Sequence, residues 1–219
     1  MTTRLMPNSC FKRRYGMKYL TTMSELEALF EPVGEASLRK EVAAVHPIYR
    51  AWIEASPFVV FATAGPAGLD VSPRGDPAPV VMVKDERTLL LPERRGNNRI
   101  DSLRNIVSNP GVSMIFFVPG VSETVRVNGT ARICIEKDVL ARFSMQGALP
   151  KCVVEVSVQA VYFQCARALL RSSLWSKEQV ANRSTVPTAG QMLAAVTNGS
   201  VGGKHYDEEL PQRQAKTLY

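Results

Sequence analysis

Arg94, Arg95 and Arg99 lie within six residues, with Gly96, Asn97 and Asn98 between them. Guanidinium forks grip a phosphate monoester bidentately, and the two amides add neutral donors. Gly96 permits backbone angles that other residues resist. The stretch runs into a helical pattern from about Arg99 to Ser108, with Asn98 placed as its N-cap and Asp101 three residues on, close to a capping box. A helix start offers free N–H groups and the positive end of its dipole to an anion. The competing reading is a solvated basic turn with an ordinary cap, since charge runs usually lie on the surface. Gly96-Asn97-Asn98 serves no packing purpose and tilts the balance toward an anion site.

Two other loops carry similar chemistry. Ser72-Pro73-Arg74-Gly75-Asp76 sets another arginine in a tight loop between strands, although such a composition is also common in plain turns. Cys165–Trp175 (CARALLRSSLW) places Arg167 and Arg171 one helical turn apart, followed by Ser172 and Trp175. Its leucines and Trp175 suit a helix packed on a core; a tryptophan beside arginine and serine also suits a wall for a planar heteroaromatic ring.

Other chemistries lack their residues. No G-x-G-x-x-G follows the first strand, so a dinucleotide site of the Rossmann kind has no support. Gly199–Lys204 (GSVGGK) departs from a phosphate loop in its spacing and has no preceding strand, and reads as a surface loop. No G-x-S-x-G occurs, and His46 and His205 leave little material for a triad. Cys10, Cys134, Cys152 and Cys165 show no paired spacing, which argues for structural thiols over a metal site. Any chemistry is therefore expected to come from a bound cofactor.

The elements that must position these residues follow from hydrophobic pattern. Thr22 or Ser24 can cap a helix to about Phe30, a second covers roughly Ala36–Ala44, and a third Pro47–Ala55. Strands are expected at Phe58–Ala64, about Asp70–Ser72, Val80–Val83, Thr88–Leu91 and Val112–Val118. Thr124–Ile135 alternates apolar and polar residues with Gly129 as a candidate bulge. A helix at about Glu136–Met145 precedes strands near Lys151–Val158 and Val161–Gln164, and Thr188 caps a segment to Thr197. Short strands with one or two interrupting helices predict a mainly β, α+β fold: a small closed barrel with helical decoration.

Charge and composition limit the partners. The net charge is +7, but Arg4, Lys12, Arg13, Arg14 and Lys18 supply most of it within the first eighteen residues. A nearly neutral body argues against a nucleic-acid surface. No apolar run suggests a membrane span. The expected organisation is a basic, disordered tail over 1–22, one domain over 23–175 and a helical or loop extension over 176–219, in a cytoplasmic protein.

Five ordered blocks, SPRGDPAPVV, LLLPERRGNNRIDSLRNI, NPGVSMIFFVPG, ETVRVNGTARI and FQCARALLRSSLW, resemble the pyridoxamine 5′-phosphate oxidase-related FMN-binding proteins, in particular a subgroup of FMN-dependent flavoproteins. The likeness spans about Ser24–Trp175. It implies a split β-barrel homodimer with FMN at the subunit interface. It places the phosphate near Arg95, Asn97, Asn98 and Arg99, with Arg74 and the backbone at Val80 and Val81 along the flavin. It also lets Arg167, Ser172 and Trp175 close the cofactor from the C-terminal side. Gln164 stands where related sequences tend to have histidine. Asn97 and Asn98 stand where the classical oxidase has an Arg-Lys pair, so phosphate charge falls to Arg95 and Arg99. No equivalent of that oxidase's C-terminal pyridoxal-phosphate clamp is visible, which disfavours true pyridoxamine-phosphate oxidase activity. The expected function is an FMN-dependent oxidoreductase working by hydride transfer on a small substrate, with no catalytic residue assignable. The alternatives are a non-enzymatic FMN binder for storage or sensing, and a deazaflavin (F420) user.

Overall fold

Residues 17–177 and 183–219 are described by the structure, a computed structural model. The basic tail and Cys10 therefore lie largely outside the described residues. The chain divides into two units, residues 1–39 and 40–219. In the first, Thr22 and Glu25 form a reciprocal capping box at the start of α1 (Met23–Glu27), and Arg39 pairs with Glu35 along α2 (Glu35–Arg39). No residue of either helix is buried.

The second unit is built on alternation. Val59 and Phe61 in β1 (Phe58–Gly65), Val112, Met114 and Phe116 in β5 (Gly111–Phe117), and Val125 and Val127 in β6 (Thr124–Cys134) all turn inward. They meet Leu89 and Leu91 of β4 (Thr88–Pro92) and Val154, Val156, Val158 and Val161 of β7 (Val153–Gln164) in one core. Burying each such side chain is worth about 1.5–3 kcal/mol. With β2 (Gly68–Gly75) and β3 (Met82–Asp85) these strands form one seven-stranded sheet, ordered β2-β1-β5-β6-β7-β4-β3 and antiparallel throughout. Helix α3 (Pro47–Ala55) packs Ile53 into the core, α4 (Asp101–Ser108) contributes Ile106, and the short α5 (Lys137–Ala141) follows β6. A mixed α+β fold results, as the sequence predicts.

Several boundaries differ from expectation for identifiable reasons. The sheet ends at β2 and β3, which do not pair with each other, so the barrel is open rather than closed by hydrogen bonds. The second predicted helix stops at Arg39, because Val42 exchanges backbone hydrogen bonds with Val161. Strand β3 starts at Met82, not Val80. Pro77 and Pro79 bring no N–H to a ladder, and the Val80 N–H is spent on the Ser56 carbonyl at 3.0 Å. The two strands expected at 151–164 are one, with Gln159 as an extra residue where Asn128 faces Ala160 and Gly129 faces Val158. Near the end, Gly199–Lys204 is not merely a loop: α8 (Gly203–Lys216) begins within it, and Gly202 lies against α7 (Ala189–Val196) so closely that a Cβ would meet the Gly190 carbonyl oxygen at 2.5 Å. Among the described residues no helix is long and apolar enough to cross a membrane.

Candidate functional site

Where β4 ends, the chain makes the turn 93–100 and enters α4. Asn98 and Ile100 both adopt left-handed backbone angles, φ +58° and +53°. Ile100 holds the N-cap position of α4 and makes no side-chain cap. A β-branched residue rarely accepts this conformation, at a cost of about 1–3 kcal/mol. The helix therefore begins two residues later than its sequence suggests. Asn98 is not the cap; Asn97 Oδ1 instead accepts the Arg99 N–H at 3.1 Å. Among the described residues no side chain caps the start of α4, whose first-turn N–H groups are the donors an anion would use.

This turn borders a cavity of about 640 Å³. Strand β2 contributes Arg74, the turn contributes Arg95, Asn97, Asn98 and Arg99, and Val80 and Lys151 complete the rim. Of the residues singled out by sequence, these seven except Lys151 come together around one space. Val81 is fully buried in the core and does not line the cavity. Arg167, Ser172 and Trp175 do not line it either. Arg167 and Ser172 are exposed on α6 (Arg167–Ser172), and Trp175 donates its indole N–H to the Val121 carbonyl at 2.8 Å.

Charge within the cavity is largely balanced. Arg74 Nη1 pairs with Glu93 Oε1 at 3.0 Å, and its Nη2 donates to Ser102 Oγ at 3.2 Å. Ser102 in turn donates to Asp70. Arg94 is committed to Asp76, with Nε–Oδ2 at 2.7 Å, and to the Phe143 carbonyl at 2.6 Å. Arg99 Nε pairs with Asp101 at 2.7 Å, which raises its pKa further. Arg95 has no side-chain partner among the described residues. Among the described residues Lys151 has only the neutral Asn98 oxygen, at 3.4 Å. These two cations carry the uncompensated charge. Burial pushes the Glu93 carboxyl above its ordinary pKa against the pull of Arg74, and burial likewise raises the Cys152 thiol on the same wall. Arg74 Nε and Glu93 Oε2 are buried without hydrogen-bond partners.

Sequence reasoning missed Glu93, Lys151, Ser102 and Tyr219. No periodic signal marked them: β4 is buried on successive residues, and the turn that follows sets Glu93, Arg94 and Arg95 all on the cavity.

Fold and cavity together define a small antiparallel-sheet protein with a polar, charge-lined cavity at a strand-to-helix turn. Residues 45–165, more than half of the chain and all seven strands, match the family described as pyridoxamine 5′-phosphate oxidase, and the chain belongs to that family. Solved structures similar to it include HupZ of Group A Streptococcus (21% identity, TM-score 0.42, covering 51% of this chain and 87% of that one). An FMN-binding protein from Syntrophomonas wolfei subsp. wolfei is similar at 10% identity and a TM-score of 0.42, over 53% of this chain and 83% of the other. An FAD binding protein from Mycobacterium smegmatis is similar at 16% identity and a TM-score of 0.39, over 56% and 97%. No curated protein matches the chain.

Proposed function

We propose that this chain binds FMN in the 640 Å³ cavity and serves as a flavin-dependent oxidoreductase for a small substrate, as a homodimer with the cofactor at the subunit interface. The observation that carries the reading is the uncapped start of α4 beside Arg95, Asn97 and Asn98, in a member of this family. The residues fit the group. The volume lies within the range of small-molecule sites, roughly 300–1,000 Å³. Arg95 and Lys151 are free to meet a dianion, and Arg74 lies deeper on the same wall. Redox chemistry would be the cofactor's own; the chain's part is to bind, orient and exclude water. The chain's own Arg167, Ser172 and Trp175 stand off this cavity, which supports a partner subunit as the source of the closing arm.

Purified protein reconstituted with FMN should show bound-flavin absorbance. Arg99→Ala should weaken FMN roughly tenfold to hundredfold, the worth of a charged hydrogen bond of about 1.5–3 kcal/mol. Riboflavin, which lacks the phosphate, should respond little to the same change. Protein that takes up no flavin, or equal losses for both ligands, would remove the reading. Reduction of the bound flavin by NADH or NADPH would separate an oxidoreductase from a flavin store.

A further inference from the structure

Tyr219 lies beyond the family match, yet both Leu218 and Tyr219 line the cavity. Tyr219 also lines the smaller space of about 380 Å³ beside it, which is bordered by Arg95, Asn98 and the Ala148–Lys151 turn. Its hydroxyl donates to Asp76 Oδ1 at 3.2 Å, and the Arg94 guanidinium stands 5.6 Å from its ring centroid. That seat is firm. Asp76 is almost wholly buried, Arg94 grips it with two nitrogens, and the Phe143 carbonyl fixes the remaining arm of Arg94. Burial, and then the Asp76 charge, hold the phenol's pKa above its ordinary value, so it stays a donor. The helix that precedes the ring is braced against its neighbour. Asp207 of α8 accepts the Gly190 N–H of α7 at 2.7 Å and the Thr188 hydroxyl, and the two helices meet through glycine backbone.

We propose that Tyr219, with Leu218, is a wall of the ligand site, an aromatic strap that closes the cavity on the α8 side and sets which planar ligand it retains. The identity of the ligand rests on the flavin reading; the wall itself does not. An aromatic face aligned by a cation on one side and an acid on its hydroxyl can pack on a flat heteroaromatic ring, and it also shields the basic rim from water.

Two measurements test this on the full chain. In the first, FMN dissociation from reconstituted protein is followed by the return of free-flavin fluorescence. Tyr219→Ala should release FMN about tenfold faster, the scale of one lost aromatic contact. Tyr219→Phe, which keeps the ring and loses the Asp76 bond, should fall between. Unchanged release overturns the proposal. So does faster and tighter FMN binding by Tyr219→Ala, because the ring would then be a plug in the ligand's place. The second measurement needs no flavin. Cys152 is buried and lines the same cavity, so its alkylation by iodoacetamide, read by peptide mass, should speed up severalfold in Tyr219→Ala while Cys134 reacts at an unchanged rate. Equal Cys152 rates overturn the strap. Failure of FMN to bind the wild-type chain would remove the flavin reading and leave the thiol measurement to judge the wall.

Discussion

Four arginines line the cavity, and three of them arrive with a carboxylate already attached: Arg74 with Glu93, Arg94 with Asp76, Arg99 with Asp101. An incoming phosphate thus meets Arg95 and Lys151 first and must compete with Asp101 for Arg99. Glu93 is the unusual member of the set. Burial raises its pKa above the ordinary 4.5 even beside Arg74. The folded chain therefore holds this proton more tightly than the unfolded one. The stability it contributes is full below pH 4.5 and is lost as pH climbs through the raised value. Comparing melting temperatures of wild type and Glu93→Gln from pH 4 to 7 should show the wild type losing ground to the variant as pH rises. Parallel curves would show that Glu93 carries no such shift. Sequence alone picked out the arginine cluster that the fold sets beside the cavity, but it could not sort the cluster. Arg94 and Arg95 are neighbours in the chain, and only the fold reveals that Asp76 and the Phe143 carbonyl claim the first. Lys151 and Tyr219 were out of reach for the same reason: they join Arg95 across fifty or more residues of chain.

At the scale of the elements, the two longest strands, β6 and β7, pair through a register break. Gly129 faces Val158, Asn128 faces Ala160, and Gln159 is left over, which bends the two longest strands together. A Cβ on Gly129 would stand 2.2 Å from the Ser157 carbonyl oxygen, in backbone that cannot move aside alone. Gly129→Ala should therefore cost about 1–3 kcal/mol, seen as a lower urea midpoint at an unchanged slope. A midpoint equal to the wild type's would mean that the bend is softer than it looks. The same region shows what pattern reading can and cannot do. The alternation of β6 was legible, because a half-wet strand writes its period into the sequence; the bulge expected at Gly129 instead has its extra residue, Gln159, on the facing strand β7. Strand β7 read as two, because the extra Gln159 shifts the phase of burial from Val158 to Val161. The start of α4 was misplaced for a different reason: nothing in the residue types announces that Ile100 will sit at φ +53°, against its own preference.

For the whole molecule, assembly reduces to where Trp175 acts. In one chain the α4 turn and the α6 arm serve different places, the first on the cavity and the second against Val121. In the proposed two-fold dimer each arm would close the other chain's cavity, and a site would then be made of one chain's Arg99 and its partner's arm. This arrangement has a consequence that a monomer cannot imitate. Arg99→Ala and Trp175→Ala should each weaken FMN binding on their own. Unfolding and refolding the two variants together makes mixed dimers, and in each of these one site inherits both defects while the other receives an intact turn and an intact arm. FMN titration of the mixture should accordingly recover a class of sites with wild-type affinity, absent from either variant alone. If the arm served its own chain, every site in the mixture would carry one defect and no tight class would emerge. The same titration on proteins mixed without refolding supplies the baseline, and sedimentation at matched concentration reports whether dimers are present to be mixed. Recovery of tight sites would place the cofactor between two chains; dimers without recovery would confine each cavity to the chain that builds it.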